Sequence, residues 1–397
     1  MPDWVVLVAM PFVAAALGYV TKRIAIEMMF RPIEFVGLKG TFLGWQGVVP
    51  RNAERMIRIA ADLLTSKLVD AREVVAGIDG DRLADELETA LLVDIDRIAR
   101  EIMARHHPAL WEALPALAQD VIVKQVQAGA PDAVRRMVAE IRDNIDHLLD
   151  IKELAVATLR RNPVLMVRLV KDISRPEMAF IARSGIWFGF GLGLVQTLVW
   201  AFTELPIVLP LFGMCIGWFT DWLAIKLVFF PRERTRVLGI VPFQGIFQRR
   251  RDEVAQKYGE IVAREVMTVP NIMDAVLNSP RADRLAALVR RVVWETVDAR
   301  AGLARPVIGD RRMRDIKQAA ADQAMRTLPG TVQVAEDYLT EALDVGNTIA
   351  RKMNDLSRVE YEELLRPAFR QDEWKLIAVG AIIGFLVGEL QVHLLVG

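Results

Sequence analysis

Lysine and arginine occur in only two blocks of this chain, residues 22–183 and 226–375. The three stretches without them, 1–21, 184–225 and 376–397, are rich in apolar residues. A helix needs about 20 apolar residues to cross the hydrocarbon core of a membrane. The first and last stretches therefore each predict one membrane span. The middle stretch is long enough for two spans that turn at Glu204, Leu205 and Pro206.

This pattern predicts an all-α integral membrane protein with four transmembrane helices, at residues 1–21, 184–203, 206–221 and 376–397. Two charged blocks, 51–183 and 249–375, lie between the spans. Their apolar residues recur at three- and four-residue spacing, so each block is predicted as a helical bundle. The positive-inside rule places both blocks in the cytoplasm and leaves both chain termini outside.

The composition narrows the classes of function. The 397 residues include 50 basic and 50 acidic side chains, and this zero net charge argues against a nucleic-acid partner. The single cysteine, Cys215, excludes a disulfide framework, and the four histidines show no metal-ligand spacing. No phosphate-binding loop or nucleophile with a base is recognisable in the sequence. We therefore expect a protein that is not an enzyme and that uses neither a cofactor nor a metal.

An unusual phrase occurs twice, as GYVTKRIAIEMMFRP at residues 18–32 and as GWFTDWLAIKLVFFP at residues 217–231. At a constant offset, Thr21 and Pro32 pair with Thr220 and Pro231. Each phrase opens a membrane-interface segment, 22–50 or 222–248, whose apolar, glycine-rich part predicts a short interfacial hairpin.

The second and fourth spans share a second pattern. Both carry glycines at four-residue spacing, which predicts helix faces for close packing: Gly185, Gly189 and Gly193 in one, Gly380, Gly384 and Gly388 in the other. Because both halves run span, motif, charged block and span in the same order, the sequence predicts two parallel tandem repeats.

Both phrases are followed by Gln-Gly and a basic cluster, and the last span has the form G-x-x-x-G-x-x-x-G-x-x-Gln. These motifs resemble the YjiN/YheB family of uncharacterised bacterial membrane proteins, the domain of unknown function 445. The resemblance covers nearly the full length and implies a multi-pass protein of the bacterial cytoplasmic (inner) membrane. It implies no reaction. The family usually has Asn after the motif threonine, whereas this chain has Lys22 and Asp221.

Equivalent positions of the two phrases carry opposite charges, Lys22 against Asp221 and Glu27 against Lys226. Equivalent residues approach each other near a pseudo-twofold axis, where opposite charges attract. We therefore predict that these pairs bridge the two halves. Because the two positions in each phrase are five residues apart, only some of these residues can face the axis. The alternative is that the charges point into solvent and contribute little.

Two further groups of polar residues are candidate sites. The basic clusters after the hairpins, Arg51 and Arg55 in one half and Arg249, Arg250 and Arg251 in the other, are predicted to bind anionic lipid headgroups. The alternative is that they only orient the protein. Inside the spans lie four polar side chains, Gln196, Glu389, Gln391 and His393, which a proton or ion pathway would use.

Two classes of function follow. The first is a membrane-anchored, non-enzymatic interaction or scaffold protein in envelope organisation or lipid handling. Its expected partners are anionic membrane lipids, another protein or a second copy of the chain. The alternative is a small transporter or channel that uses polar residues of the second and fourth spans, Glu389 and His393 above all.

Overall fold

The computed structural model describes residues 3–37, 44–203, 205–231, 235–237, 241–300, 309–365 and 373–395. The described chain is helical apart from two short hairpins, so the predicted all-α class is confirmed. In chain order the helices are α1 Asp3–Phe30, α2 Val48–Arg51, α3 Ala53–Leu63, α4 Ala71–Ala76, α5 Gly80–His106, α6 Pro108–Ala113, α7 Ala116–Gln127, α8 Ala130–Leu148, α9 Ile151–Arg161, α10 Pro163–Thr203, α11 Val208–Phe229, α12 Ile246–Arg249, α13 Arg251–Ile261, α14 Val269–Leu277, α15 Ala282–Arg300, α16 Asp310–Val334, α17 Glu336–Leu343, α18 Val345–Asp355, α19 Arg358–Leu365 and α20 Glu373–Leu395. Short π-helices follow α3 at Leu64–Leu68 and α13 at Val262–Val266.

The described residues divide into two compact units. The apolar unit is drawn from residues 1–63, 159–258 and 350–397, and the charged unit from 64–158 and 259–349. Three helices of the apolar unit are long and apolar enough to cross a membrane, over Leu7–Phe30, Pro163–Thr203 and Val208–Leu227. The apolar part of α20, Ile377–His393, is shorter.

Within the apolar unit, α1 packs along α10 and α11 packs along α20. Glycines bring the backbones of each pair into contact. A methyl group added at Gly18 would overlap the backbone of Gly185, and one added at Gly217 would overlap the backbone of Gly380. Such close approach between helices allows van der Waals contact along the backbone, which holds helices together where lipid removes the hydrophobic driving force.

A two-stranded antiparallel hairpin follows each of the helices α1 and α11. Strands β1 and β2 are Val36–Gly37 and Gly44–Trp45, and β3 and β4 are Thr235–Val237 and Val241–Phe243. The amide of Gly47 donates to the Pro32 carbonyl at 2.9 Å, and the amide of Gly245 donates to the Pro231 carbonyl at 3.0 Å. Both prolines follow cis peptide bonds. The predicted interfacial segments thus both contain a hairpin, although residues 38–43, 232–234 and 238–240 lie outside the described residues.

The charged unit is a helical bundle to which both charged blocks contribute. Helix α5 packs against α8 and α16, and α15 packs against the same two helices. The start of α5 is fixed by Asp79, whose side chain accepts from the Asp81 amide, while the Tyr338 hydroxyl donates to the Asp79 carbonyl at 3.1 Å. The sequence predicts one bundle for each block. Because α5 and α8 find their apolar partners on α15 and α16, the two blocks share a core instead.

Three predicted span boundaries, at residues 21, 184 and 221, differ from the helix ends. The predicted span 184–203 is the second half of α10, which runs without a break from Pro163. Similarly, α1 continues past residue 21 to Phe30, and α11 continues past residue 221 to Phe229. No residue that ends a helix stands at these boundaries, so charged residues at the edge of the apolar stretches continue the same helix.

Candidate functional site

The residues that the sequence singled out meet at two places in the apolar unit. The first is a buried ion pair between α1 and α11. The Lys22 Nζ lies 3.2 Å from the Asp221 Oδ1, and only 1% and 8% of the two side chains are exposed. Neither the Lys22 Nζ nor the Asp221 Oδ2 makes a hydrogen bond, so the contact is an electrostatic pair rather than an aligned hydrogen bond. A buried pair of this kind holds the two helices together because separating it would leave each charge unpaired.

Glycines on the neighbouring helices make room for both charged side chains. A methyl group at Gly185 would lie 3.0 Å from the Lys22 Cδ, and one at Gly380 would overlap the Asp221 carboxylate. The adjacent threonines bond within their own helices. The Thr21 hydroxyl donates to the Leu17 carbonyl at 2.9 Å, while the Thr220 hydroxyl donates to a carbonyl one turn earlier at 3.4 Å. The motif therefore places a charge against a glycine in both halves.

The second meeting place joins α10 to α20. The Gln196 Nε2 donates to the Gln391 Oε1 at 3.4 Å, and both side chains are buried. Close by in the fold, Met10 of α1 and Leu209 of α11 form a small apolar cluster with Trp200 and Val392. Of the two meeting places, the sequence analysis predicted the contact between Lys22 and Asp221.

The second predicted charge pair does not form. Glu27 pairs with Arg31 of its own helix, with the Arg31 Nε 3.1 Å from the Glu27 Oε1, and both side chains are more than half exposed. Lys226 is also exposed and lies over the ring of Phe230, 5.4 Å from its centre. Because Glu27 is five residues beyond Lys22, it lies on another face of α1 and cannot reach the same interface.

Glu389 and His393 lie on the outer side of α20 rather than beside Gln391. The His393 Nε2 is 3.9 Å from the Glu389 Oε1, and the side chains are 76% and 49% exposed, respectively. These two groups can pair, as their spacing of four residues predicts. They do not face the interface that contains Gln196.

The basic clusters separate into two kinds of residue. Arg51, Arg55 and Arg249 are exposed. Arg250 instead pairs with Glu177 of α10, with the Arg250 Nη1 2.6 Å from the Glu177 Oε1, and with Glu253 at 2.6 Å. Hydrogen bonding to Glu253 raises the pKa of Arg250, and the same bond lowers the pKa of Glu253.

Arg251 is also committed to contacts inside the unit. Its Nη2 donates to the carbonyls of Met353 and Asn354, each at 2.9 Å, and to the carbonyl of Leu356. Its guanidinium lies over the ring of Tyr361, which stacks on Phe247. The prediction that Arg250 and Arg251 bind lipid headgroups is therefore corrected, because both guanidinium groups are occupied by protein partners.

Sequence reasoning missed Glu177 and Tyr361, which are both buried. Burial raises the pKa of the Tyr361 hydroxyl, and the Glu177 carboxylate adds to this effect. Neither residue belongs to a repeated phrase, and a glutamate inside a charged block is ordinary. The only available signal was that Arg250 and Arg251 have no basic counterparts at Asn52 and Ala53 of the first half.

The part of the chain that the structure describes contains no group of three His, Cys, Asp or Glu side chains that could hold a metal. The lone cysteine, Cys215, is exposed on α11. The two meeting places consist of paired polar side chains that connect one helix to another.

Apolar helices of spanning length and buried polar pairs between them define a helical membrane protein. The chain is similar along its length to two relatives, each named UPF0754 membrane protein. One is from Synechococcus sp. (strain JA-3-3Ab), 24% identical over 432 aligned positions that cover 99% of each chain. The other is from Synechococcus sp. (strain JA-2-3B'a(2-13)), 24% identical over 440 aligned positions that cover all of both chains.

A third relative with the same family name, from Thermosynechococcus vestitus, is 35% identical over 72 residues, 18% of this chain and 17% of its own. No family model and no solved structure matches the chain. The relatives support a membrane location within an uncharacterised membrane family. Their name differs from that of the YjiN/YheB family, so that resemblance stays a prediction.

Proposed function

We propose that the chain is a four-span protein built from two parallel tandem repeats. Both halves contain a hairpin after the first span, a glycine amide bonded to the motif proline carbonyl, and a π-helix after the first long helix beyond the hairpin. Glycine contacts between the spans also recur at equivalent positions. These shared details support a duplication, and helix α20 then counts as the fourth span beside α1, α10 and α11.

We further propose that the charged unit lies in the cytoplasm of a bacterium and that both termini lie outside the inner membrane. The basic residues are confined to the two blocks between the apolar stretches, which supports this orientation through the positive-inside rule. The proposed membrane-interface motifs are residues 22–50 and 222–248.

We infer that the protein is a membrane-anchored, non-enzymatic scaffold that serves envelope organisation or lipid handling. The observation that carries this inference is the use of polar side chains inside the apolar unit. Lys22 of α1 is paired with Asp221 of α11, and Gln196 of α10 is paired with Gln391 of α20. Two of the four polar side chains that a transport pathway would use, Gln196 and Gln391, thus join helices, which suits a rigid anchor for the charged unit.

Transport is the second candidate, and one observation favours it. Glu389 and His393 are partly exposed ionisable groups on an apolar helix. Ionisable side chains at membrane depth are costly and often mark an ion path. Because the pair faces away from Gln391, a path along it would have to be completed by a second copy of the chain.

The two candidates are separated by flux measurements on the full-length protein in liposomes loaded with a pH-sensitive or a potassium-sensitive dye. A scaffold is expected to give the same proton and potassium flux as protein-free liposomes, and Glu389→Gln is expected to change nothing. Native mass spectra of the same preparation in mild detergent are expected to show bound lipid, a bound protein or a second copy. Flux that Glu389→Gln abolishes and Glu27→Gln preserves would replace the scaffold with a transporter.

A further inference from the structure

The exposed face of α10 changes from apolar to basic at one level. Leu198, Leu194 and Trp187 are exposed along the outer half of the helix, and Trp187 is 77% exposed. The next exposed residue on that face, one turn further inward, is Arg183. Tryptophan prefers the boundary between the hydrocarbon and the headgroups, and arginine one turn beyond it lies at the level of lipid phosphates.

The same order occurs on the helices beside it. On α11, the stacked and exposed rings of Trp218 and Trp222 are followed one turn later by the exposed Lys226. On α1, the exposed Val20 is followed by the exposed Arg23. On α10 and α11 exposed aromatic side chains are thus followed by one basic residue, and on α1 the basic residue lies between the exposed Val20 and Ile24.

Contacts between the helices give the relative levels of these basic residues. The backbone of Gly18 meets that of Gly185, and Lys22 pairs with Asp221, which sets the three helices in register. At 1.5 Å per residue from those contacts, Arg183, Arg23 and Lys226 follow one another inward within about 10 Å along the helix axes. The headgroup layer of a bilayer leaflet is about 5 to 8 Å thick, and long basic side chains extend towards it from positions just above or below it.

We propose that Arg23, Arg183 and Lys226 form a headgroup collar that binds the phosphate groups of anionic phospholipids. This proposal rests on the proposed membrane scaffold and names one partner of it. Within the described ranges, none of the three basic groups has a carboxylate partner, whereas Arg250 has two. Lipid phosphates therefore balance their charges. Because the three residues adjoin exposed apolar faces, they favour binding of a lipid over binding of a free anion.

The test uses the full-length protein in nanodiscs that contain equal amounts of phosphatidylglycerol and phosphatidylcholine. Identical leaflets remove any dependence on orientation. Native mass spectra after detergent release would give the ratio of the two lipids that remain bound. The collar variant is Arg23→Gln, Arg183→Gln and Lys226→Gln together. The control variant removes as much charge from exposed positions of the charged unit, with Arg290→Gln, Arg311→Gln and Arg314→Gln.

We expect the unsubstituted protein and the control variant to retain phosphatidylglycerol in excess. Each collar substitution is expected to lower that excess by roughly fivefold, and the triple variant to lose it. Retention of the excess by the triple variant would overturn the proposal and leave the scaffold standing. Displacement of the lipid by added inorganic phosphate would also overturn it, because the residues would then form a site for free anions.

Discussion

Among substitutions that remove one charge and keep the size of the side chain, we expect Asp221→Asn to destabilise the apolar unit most. In Asp221→Asn the side chain keeps its shape, so it still fits beside Gly380. What changes is the charge opposite Lys22, whose side chain is 1% exposed. The variant therefore leaves an ammonium group buried without its counter-charge.

The size of the effect follows from the distance between the two groups. At 3.2 Å and an effective dielectric constant of about 20, the attraction of the two charges is about 5 kcal/mol. Measured losses when one partner of a buried pair is removed are about 3 to 5 kcal/mol. We expect the free energy of unfolding to fall by an amount in this range. The double variant Lys22→Met with Asp221→Asn removes both charges, so we expect it to regain most of the loss.

The assay is unfolding of the full-length protein in one mild detergent, followed by the circular dichroism of its helices. Single variants at Lys22 and Asp221 are compared with the double variant in the same detergent. The matched control is the other pair of opposite charges at equivalent positions, Glu27→Gln and Lys226→Gln. Both side chains are exposed, so the control is expected to change stability by about 0.5 kcal/mol or less.

Two results would refute this reasoning. If Asp221→Asn and the control variants had equal stability, the pair would not be buried as described. If the double variant were as unstable as the sum of the two single variants, the two charges would not interact. Either result would also remove the main electrostatic link between α1 and α11.

Three further predictions concern the packing of α11 against α20, the pairing of Arg250 and the pH dependence of stability. Gly217→Ala would force α11 away from α20, so we expect the free energy of unfolding to fall by about 1 to 3 kcal/mol in the same assay. The control is Gly191→Ala, whose added methyl group meets nothing within 4 Å and should not lower stability. Arg250→Gln leaves the buried Glu177 without Arg250 and should lower the free energy of unfolding by about 3 kcal/mol. Arg249→Gln at an exposed position should lower it by about 0.5 kcal/mol or less, and equal losses would contradict the pairing. Burial, with basic neighbours, lowers the pKa of His107 below 6.5, so its stabilising contribution is complete above about pH 6.5 and is lost as the pH falls towards the folded-state value. Unfolding measured across this range should depend less on pH in His107→Leu, and an unchanged pH dependence would contradict this assignment.

The helical class and the location of the apolar helices were predictable because both depend on local sequence. A gap in the basic residues and a run of apolar residues are enough to indicate α1, α10 and α11. The contact between Lys22 and Asp221 could also be predicted, since opposite charges at equivalent positions suggest that the two residues meet near the pseudo-twofold axis. The sequence could not decide between this pair and Glu27 with Lys226, because helix rotation is set by packing against the neighbours.

Other features depended on residues far apart in the chain and could not be predicted. Arg250 and Arg251 look like members of a basic surface cluster, yet their partners come from α10 and from the segment around residue 355. Likewise, α5 and α15 are amphipathic helices of separate charged blocks, and only the fold shows that they share packing partners. A local pattern gives the apolar face of a helix without giving the helix that covers it.

On the proposed duplication, the buried ion pair explains why the two halves carry opposite charges at the positions of Lys22 and Asp221. Two identical lysines at the positions of Lys22 and Asp221 would repel each other in a buried contact, and two aspartates would do the same. Opposite charges remove the repulsion and make the first half complementary to the second half rather than to itself. Gly185 and Gly380 leave space for either side chain, so a single divergent position could convert a contact between equal halves into one between unlike halves. The halves are then no longer interchangeable, although their backbones still follow the same plan.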